Sequence, residues 1–329
     1  MSAPNIYDAI ILGGGVGGLS AAIYTGRDDL STLLIEGELL SNTELTGGAL
    51  MLTESIENFP GYSGSGEGLI NLMRGQVDNL SAVIRVEGRA NEVSMMPDGT
   101  IEIAYSEYGE NPVVVKAKTV LIATGAVSRK LYVPGEETFY GRGVSTCATC
   151  DGAFYKGKVV GIVGGGDTAV EDALYLTRHA SLVKMFVRSD KLRTNSPEAR
   201  ELLKRDDVEM IWNTQILSIN ATESGNAVGS VTATTIGSPD ERTETLDGIF
   251  VAIGRDPNTE FLTDSGIKTI DQYLVTDPLT TRCYSVNGEL LPHVFAVGDV
   301  ADAKYVQAVT AAGDGTKAAL GIREYVMSI

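Results

Sequence analysis

The sequence predicts an α/β protein made of two Rossmann-like, three-layer dinucleotide-binding domains. Three observations predict it. A G-x-G-x-x-G turn on Gly13, Gly15 and Gly18 follows an apolar strand near the N-terminus. A second turn of G-x-G-x-x-A type, Gly164-Gly165-Gly166-Asp167-Thr168-Ala169, repeats that plan midway along the chain. The length of 329 residues exceeds what one core usually serves and suggests about two domains.

Tyr7 to Leu12 reads as a short apolar strand, and the first glycine turn opens a helix expected over 19–26. Each fingerprint glycine has a steric task. Gly13 makes the sharp turn, Gly15 lets a pyrophosphate approach the backbone, and Gly18 lets helix and strand pack closely. The helix N-terminus then offers unpaired N–H groups and a partial positive charge to the phosphates. A second strand over 31–35 ends in Glu36, 18 residues beyond Gly18. A carboxylate there can accept hydrogen bonds from ribose hydroxyls. A lone glycine pattern is weak, but strand, turn, helix and acid in this order favour dinucleotide binding over an unoccupied glycine-rich turn.

Thr46-Gly47-Gly48 and Glu57-Asn58-Phe59-Pro60-Gly61 follow as loops, and their composition is turn chemistry first. Residues from about 82 to 116 alternate apolar and polar around Pro97-Asp98-Gly99, the pattern of a small β-meander. The strand over 119–123 ends in Thr124-Gly125, where backbone can approach a bound nucleotide.

The plan then repeats. A strand over 158–163, the second glycine turn, a helix over 170–177 and a strand over 182–187 are followed by an alternating stretch that turns at Ser238-Pro239-Asp240. A strand over 248–253 ends in Gly254. The acid of the first copy is here a base: Arg188 stands 19 residues beyond Ala169, with Lys191 and Arg193 close by. Guanidinium groups bind phosphate through several charge-assisted hydrogen bonds, so cations here favour a ribose with a 2′-phosphate. A solvated basic loop is the plain alternative. The last segment offers a strand over 293–297, Gly298-Asp299 as a further nucleotide contact, and a helix over 307–326. It is too short for a third domain and must pack on one of the others.

Between the two copies lies Thr146-Cys147-Ala148-Thr149-Cys150-Asp151, with two of the three cysteines. A C-x-x-C pair can close a small disulfide and reopen it on receiving two electrons. A structural zinc site needs about four ligands, and besides these thiols the chain offers only Cys283, His179 and His293, all distant in sequence. No metal site is expected. Inert buried thiols are the other alternative. Against them stand the polar neighbours Thr146, Thr149 and Asp151, and Asp151-Gly152 suits an exposed strand-to-loop or helix-start position. Cys283 is expected to be a thiol without a role.

Forty-three acidic against 26 basic residues give a net charge of −17, which opposes approach to nucleic acid and to anionic membranes. No apolar run reaches the roughly 18 residues of a membrane span. Met1-Ser2-Ala3-Pro4-Asn5 lacks the layout of a signal peptide. With few cysteines, the expected location is cytoplasmic.

Assembled, these motifs resemble the low-molecular-weight thioredoxin reductases from about Tyr7 to the C-terminus. The resemblance is carried by Gly13-Gly-Gly-Val-Gly-Gly-Leu-Ser-Ala-Ala, Glu54-Ser-Ile-Glu-Asn-Phe-Pro-Gly, Ala123-Thr-Gly-Ala, Gly143-Val-Ser-Thr-Cys-Ala-Thr-Cys-Asp, Gly164-Gly-Gly-Asp-Thr-Ala and Phe295-Ala-Val-Gly-Asp-Val. It implies an FAD-binding domain of residues about 1–125 completed by 254–329. An inserted domain, about 126–253, would carry the redox cysteines and a pyridine-nucleotide pocket. FAD contacts are implied at Gly13, Gly15, Gly18, Glu36, Asn58, Asp299, Gln307 and Ala308. The second pocket would use Gly164, Gly166, Asp167, Thr168, Arg188, Ser189 and Arg193. Hydride would go to the flavin, two electrons to the Cys147–Cys150 disulfide, and the dithiol would reduce thioredoxin or a thioredoxin-like protein. The resemblance assigns Cys150 to face the flavin, Cys147 to attack the partner and Asp151 to manage the proton. It also implies a homodimer and a rotation of one domain against the other, hinged near Gly125 and Gly254.

Two departures bear on the electron donor. Where the family has His-Arg-Arg and a further arginine, this chain has Val187-Arg188-Ser189 with Arg193, and Val306 replaces the arginine of an Arg-Gln-Ala motif. A lost charge-assisted bond costs on the order of 1.5–3 kcal/mol, roughly one to two powers of ten in affinity. NADPH is the leading donor. Ferredoxin, or a second pocket holding another dinucleotide such as FAD, is the alternative. A flavin-dependent dithiol oxidase and a redox-sensing scaffold are readings of a different class.

Overall fold

The computed structural model describes residues 6–38, 46–53, 55–108 and 110–329. The stretch Met1-Ser2-Ala3-Pro4-Asn5 and Glu54, on which two of the sequence readings fall, lie outside the described residues. The chain divides into two compact units, Met1–Val127 with Asp256–Ile329, and Ser128–Arg255.

Among its described residues, the first unit is built on one sheet. Its parallel strands run in the order Leu290–Ala296, Val113–Ile122, Tyr7–Leu12, Thr32–Ile35 and Val83–Val86. Side chains alternate across each strand, so the two faces bury different sets. Ala9, Ile11, Leu34 and Leu121 face helical residues such as Leu19, Leu69 and Ala318. Ile10, Leu12, Leu33 and Ile122 face the opposite layer, where Val93, Ile101 and Ile103 lie on an antiparallel meander. Strands buried on both sides need apolar residues at every position, which is why Ile10 and Ile11 are both fully buried. Each such side chain contributes about 1.5–3 kcal/mol by leaving water.

The alternating stretch 82–116 is not one meander. Val83–Val86 is a parallel edge strand beside Thr32–Ile35, and the antiparallel ribbon comprises Arg89–Met95, Ile101–Ser106 and the beginning of Val113–Ile122. Alternation marks a strand but not its partner. The long strand Val113–Ile122 serves both arrangements: Val113 to Ala117 pair antiparallel with Ile101–Ser106, and Thr119 to Ile122 pair parallel with Ala9 to Leu12. Its exposed first half and buried second half follow that division.

The second unit repeats the architecture. Val144–Ser145, Gly248–Val251, Val159–Val163, Leu182–Phe186 and Val208–Ile211 form a parallel sheet in that order. Helical Ala169, Val170 and Ala173 cover one face. The other packs on the antiparallel ribbon Thr214–Ala221, Val228–Thr235 and Glu241–Thr245, through Ile216, Val231 and Ala233. Each unit is thus helix, sheet and ribbon in three layers.

The two fingerprint helices, Val16–Arg27 and Asp167–Leu176, start three residues earlier than apolar periodicity suggests. The glycine turn itself supplies the first helical residues. The last helix, Ala308–Ser328, packs in the first unit against Val16–Arg27: a Cβ on Gly315 would stand 2.2 Å from the Gly17 carbonyl oxygen.

Candidate functional site

The first unit brings three strand ends side by side. Gly13, Thr124 and Asp299 follow the C-terminal ends of the neighbouring parallel strands Tyr7–Leu12, Val113–Ile122 and Leu290–Ala296, the edge where open α/β sheets bind ligands. Gly13 sits at φ 112°, and a Cβ there would stand 2.2 Å from the Ala123 carbonyl oxygen. A Cβ on Gly18 would lie 1.9 Å from the Gly13 carbonyl oxygen. Only bare backbone fits this turn. Gly15 caps the helix without any side-chain hydrogen bond, so the first-turn N–H groups are left for an anion. Two other helices show the contrast: Ser65 accepts from Gly68 N–H at 3.1 Å and Ser196 from Ala199 N–H at 3.1 Å.

Glu36 is fixed before any ribose arrives. Its side chain is 5% exposed, with Arg74 Nη2 at 2.7 Å from Oε2 and Arg85 Nη1 at 2.5 Å from Oε1. Arg85 is itself held by Asp78 at 2.8 Å. A carboxylate has about four lone-pair sites, so two guanidinium bonds leave capacity for ribose hydroxyls. Nearby, Thr124 and Gly125 are tied to Asn258. Thr124 Oγ1 donates to the Asn258 carbonyl at 2.7 Å, Asn258 Nδ2 to the Thr124 carbonyl at 2.8 Å, and Asn258 N–H to the Gly125 carbonyl at 3.0 Å. Asn58 Nδ2 donates to Gln307 Oε1 at 3.3 Å, and Gln307 is the N-cap residue before Ala308. Val306, a β-branched residue at φ 51°, is held there by Asp302, whose carboxylate accepts the N–H groups of Lys304, Tyr305 and Val306.

These surroundings fit a dinucleotide: an uncapped helix start, a glycine cradle that a Cβ would fill, and a preset carboxylate just after the second strand Thr32–Ile35.

The second unit carries the same turn with looser surroundings. Gly164 has φ 154°, and a Cβ there would lie 2.3 Å from the Ala252 carbonyl oxygen. Gly166 caps its helix without a side-chain bond. Asp167 and Thr168 are exposed in the first turn. Arg193 folds onto the turn: its N–H donates to the Gly165 carbonyl at 2.7 Å, and its Nη2 would lie 3.4 Å from a Cβ at Gly166. Arg188 and Ser189 are exposed at the strand end, and the Ser189 hydroxyl donates to the Lys191 carbonyl at 2.6 Å. Arg188 and Lys191 are exposed, and Arg193 touches the turn.

Cys147 and Cys150 are joined in a disulfide with Cα atoms 5.3 Å apart. The pair begins the short helix Ala148–Asp151, with Cys147 as N-cap residue. Cys150 N–H points at Cys147 Sγ at 3.2 Å, and Thr149 Oγ1 lies 3.4 Å from the same sulfur. Both donors are thus aimed at the Cys147 sulfur. Cys147 is half-buried and Cys150 exposed. Asp151 lies behind them. Burial pushes its carboxyl up, against which the Ser145 hydroxyl donates at 2.6 Å. Burial, and then the charges of Asp151 and Asp247, push the Tyr155 phenol up to about 12. Asp172 of the second fingerprint helix is pushed up to about 6 by burial, opposed by Arg255, whose Nη2 reaches the Thr146 carbonyl at 3.4 Å. Cys283 is wholly buried in the first unit's core, and burial pushes its thiol up.

Ser145 stands inside the cysteine motif with no role that its position signals, and three contributors carry no motif at all: Asn258, Arg74 and Arg85. A single sequence gives no signal for them, because each acts through a contact that only the fold creates.

The sequence pattern described as pyridine nucleotide-disulphide oxidoreductase matches residues 7–315. The thioredoxin reductase of Bacillus subtilis (strain 168) is 38% identical over 99% of this chain and 96% of its own length. That of Dictyostelium discoideum is 36% identical over 100% of both. Among solved structures, thioredoxin reductase from Streptococcus pyogenes MGAS5005 superposes with a TM-score of 0.87 at 33% identity, covering 99% of each chain. Thioredoxin reductase from Giardia duodenalis gives 0.88 at 31%, covering 99% of this chain and 100% of that one.

Proposed function

The chain belongs to the pyridine nucleotide-disulphide oxidoreductase family, and from that premise we propose that it is a thioredoxin-disulfide reductase using FAD and NADPH. The observation that carries the reading is the closed Cys147–Cys150 disulfide at a helix start, with backbone and hydroxyl donors aimed at the Cys147 sulfur. A bound flavin supplies the disulfide with two electrons drawn from the pyridine nucleotide. The first turn, with Gly13, Gly15, Gly18 and Glu36, would hold the FAD adenosine and pyrophosphate, with Asn58, Thr124, Gly125, Asp299, Gln307 and Ala308 completing the cradle. Gly164, Gly166, Thr168, Arg188, Ser189 and Arg193 would hold NADPH.

The residues then divide the chemistry. The S–S bond of Cys147–Cys150 opens on taking up two electrons and two protons, one kept by the Cys150 thiol and one that the Cys147 thiol yields to the departing partner sulfur. The Cys147 thiolate attacks one sulfur of the partner disulfide, so that a mixed disulfide forms as the partner's S–S bond breaks, and the departing partner sulfur is protonated. Asp151 takes the Cys150 proton. Cys150 then attacks the Cys147 sulfur, which restores the internal disulfide, and the second partner sulfur leaves as a thiol with the proton that Asp151 returns. Two electrons and two protons have passed to the partner. The dithiol-oxidase and ferredoxin-linked readings are not favoured by the similarity to thioredoxin reductases.

Anaerobic addition of NADPH to the flavin-loaded protein tests this. The flavin absorbance should bleach and return on adding oxidised thioredoxin, and Cys147→Ser or Cys150→Ser should stop the return but not the bleaching. Flavin that stays oxidised would remove NADPH as donor; bleaching that thioredoxin cannot reverse would remove the substrate.

A further inference from the structure

We propose that Ser145 is a positioning residue for the thiol–disulfide exchange: its buried hydroxyl joins the Asp151 carboxylate to the Cys147 backbone and holds the acid in register with the cysteine pair. The proposal rests on the reading of Asp151 as the proton carrier of that exchange.

Ser145 ends the two-residue strand Val144–Ser145, which is paired with Gly248–Val251, and it is only 5% exposed. Its Oγ donates to Asp151 Oδ2 at 2.6 Å and accepts the Cys147 N–H at 3.0 Å. The Cys147 carbonyl oxygen stands 3.4 Å from the same Oγ. One hydroxyl proton cannot serve two acceptors, and the nearer carboxylate takes it. The hydroxyl is thus spent on both sides, as donor to the acid and as acceptor from the backbone of the attacking cysteine. A buried polar group satisfied in this way fixes both partners.

Asp151 needs such a fixture. Burial disfavours its charge, and the Ser145 hydrogen bond opposes that effect. A donor to a carboxylate favours the ionised form, the state required to take a proton from a thiol. The other titratable groups facing this cluster are Tyr155, which feels the Asp151 charge, Tyr175 against Gly152, Asp172 on the same helix, Arg255 at the Thr146 carbonyl, and Tyr140, whose hydroxyl lies 3.2 Å from Thr146 Oγ1. The hydrogen bond to the Asp151 side chain comes from Ser145, so removing that hydroxyl should raise the acid's proton affinity.

The test uses the flavin-loaded protein reduced with dithiothreitol, with no pyridine nucleotide present, so the identity of the donor does not enter. Iodoacetamide alkylation of Cys147 and Cys150 is followed against pH by mass spectrometry. The limb that disappears in Asp151→Asn belongs to the acid. Ser145→Ala should move this limb upward by about one pH unit, a tenfold gain in proton affinity, of the size expected for a hydrogen bond to a charged group. Ser145→Thr, which keeps the hydroxyl, should leave it near the parent position. Ser145→Gly makes the same deletion if the alanine protein does not accumulate. An unmoved limb in the hydroxyl-deleted protein, with the limb lost in Asp151→Asn, would overturn the role of Ser145 and leave that of Asp151 standing. A limb that persists in Asp151→Asn would overturn the acid reading and this proposal with it.

Discussion

The two glycine turns share a backbone plan and differ in the side chains that surround it. In the first, Gly18 leaves no room for a methyl group, Glu36 is buried between two arginines, and the first helical turn carries no acid. In the second, Ala169 stands where Gly18 does, the charged residues Arg188 and Arg193 are exposed, and Asp167 opens the helix. A site whose polar groups are already ordered loses little entropy on binding, whereas exposed long side chains must be immobilised at a cost of about 0.5–1.5 kcal/mol each. The contrast suits a resident cofactor in the first unit and a nucleotide that comes and goes in the second.

The largest break in that contrast should come from a methyl group on each turn. Gly13→Ala places a Cβ against the Ala123 carbonyl at a φ that alanine avoids; the expected cost is about 3 kcal/mol or more, with loss of bound flavin. Gly164→Ala meets the Ala252 carbonyl in the same way, yet it should leave the flavin bound and stop its reduction by NADPH. Absorbance spectra before and after NADPH read both outcomes, and equal flavin loss in the two proteins would erase the division of labour.

Next in size is the removal of the preset acid. Glu36→Ala leaves Arg74 and Arg85, whose side chains are 18% and 27% exposed, without their shared carboxylate. The expected loss is about 2–4 kcal/mol of stability in a denaturant titration, because partly buried Arg74 is stranded while Arg85 keeps Asp78. Arg188→Ala makes the opposite test. An exposed arginine should change stability by no more than about 0.5 kcal/mol, while the NADPH KM rises about tenfold or more and the NADH KM stays in place. A similar rise with both nucleotides would show that Arg188 meets the pyrophosphate and not a 2′-phosphate.

How much of this could be read from the chain depends on whether the constraint is local. The glycine turns were legible because their spacing is a steric code, and the cysteine pair because two thiols three residues apart reach each other without help from the fold. The helices start about a turn before their apolar period begins, since glycine turns show no such period. The stretch 82–116 showed strands without showing that Val83–Val86 pairs with Thr32–Ile35. Arg85 lies 49 residues from Glu36, and Asn258 lies 134 from Thr124. Neither contact has a sequence signature, because an arginine that meets a buried acid looks like any other arginine until the sheet is assembled. Ser145 is a subtler case: it is only two residues from Cys147 and six from Asp151, yet its spacing fits a loop serine equally well.

The smallest expected effect concerns Asp167, which opposes two demands at one helix start. Its carboxylate complements the helix dipole and so stabilises the helix, but it also stands where the phosphates of a nucleotide would come. Each influence is worth about 0.3–1 kcal/mol at an exposed terminus. Asp167→Asn should therefore lower stability by a few tenths of a kcal/mol and improve NADPH affinity about two- to fivefold. Both changes act through charge in contact with solvent, so they should shrink together as ionic strength rises from about 0.01 M to 0.15 M and the screening length falls from roughly 30 Å to 8 Å. Calorimetric titration of NADPH at the two salt levels separates this from a steric effect, which salt would leave intact. If affinity does not change at low salt, the weaker hold of the second turn lies in its exposed cations alone, and Asp167 is only a helix-start residue.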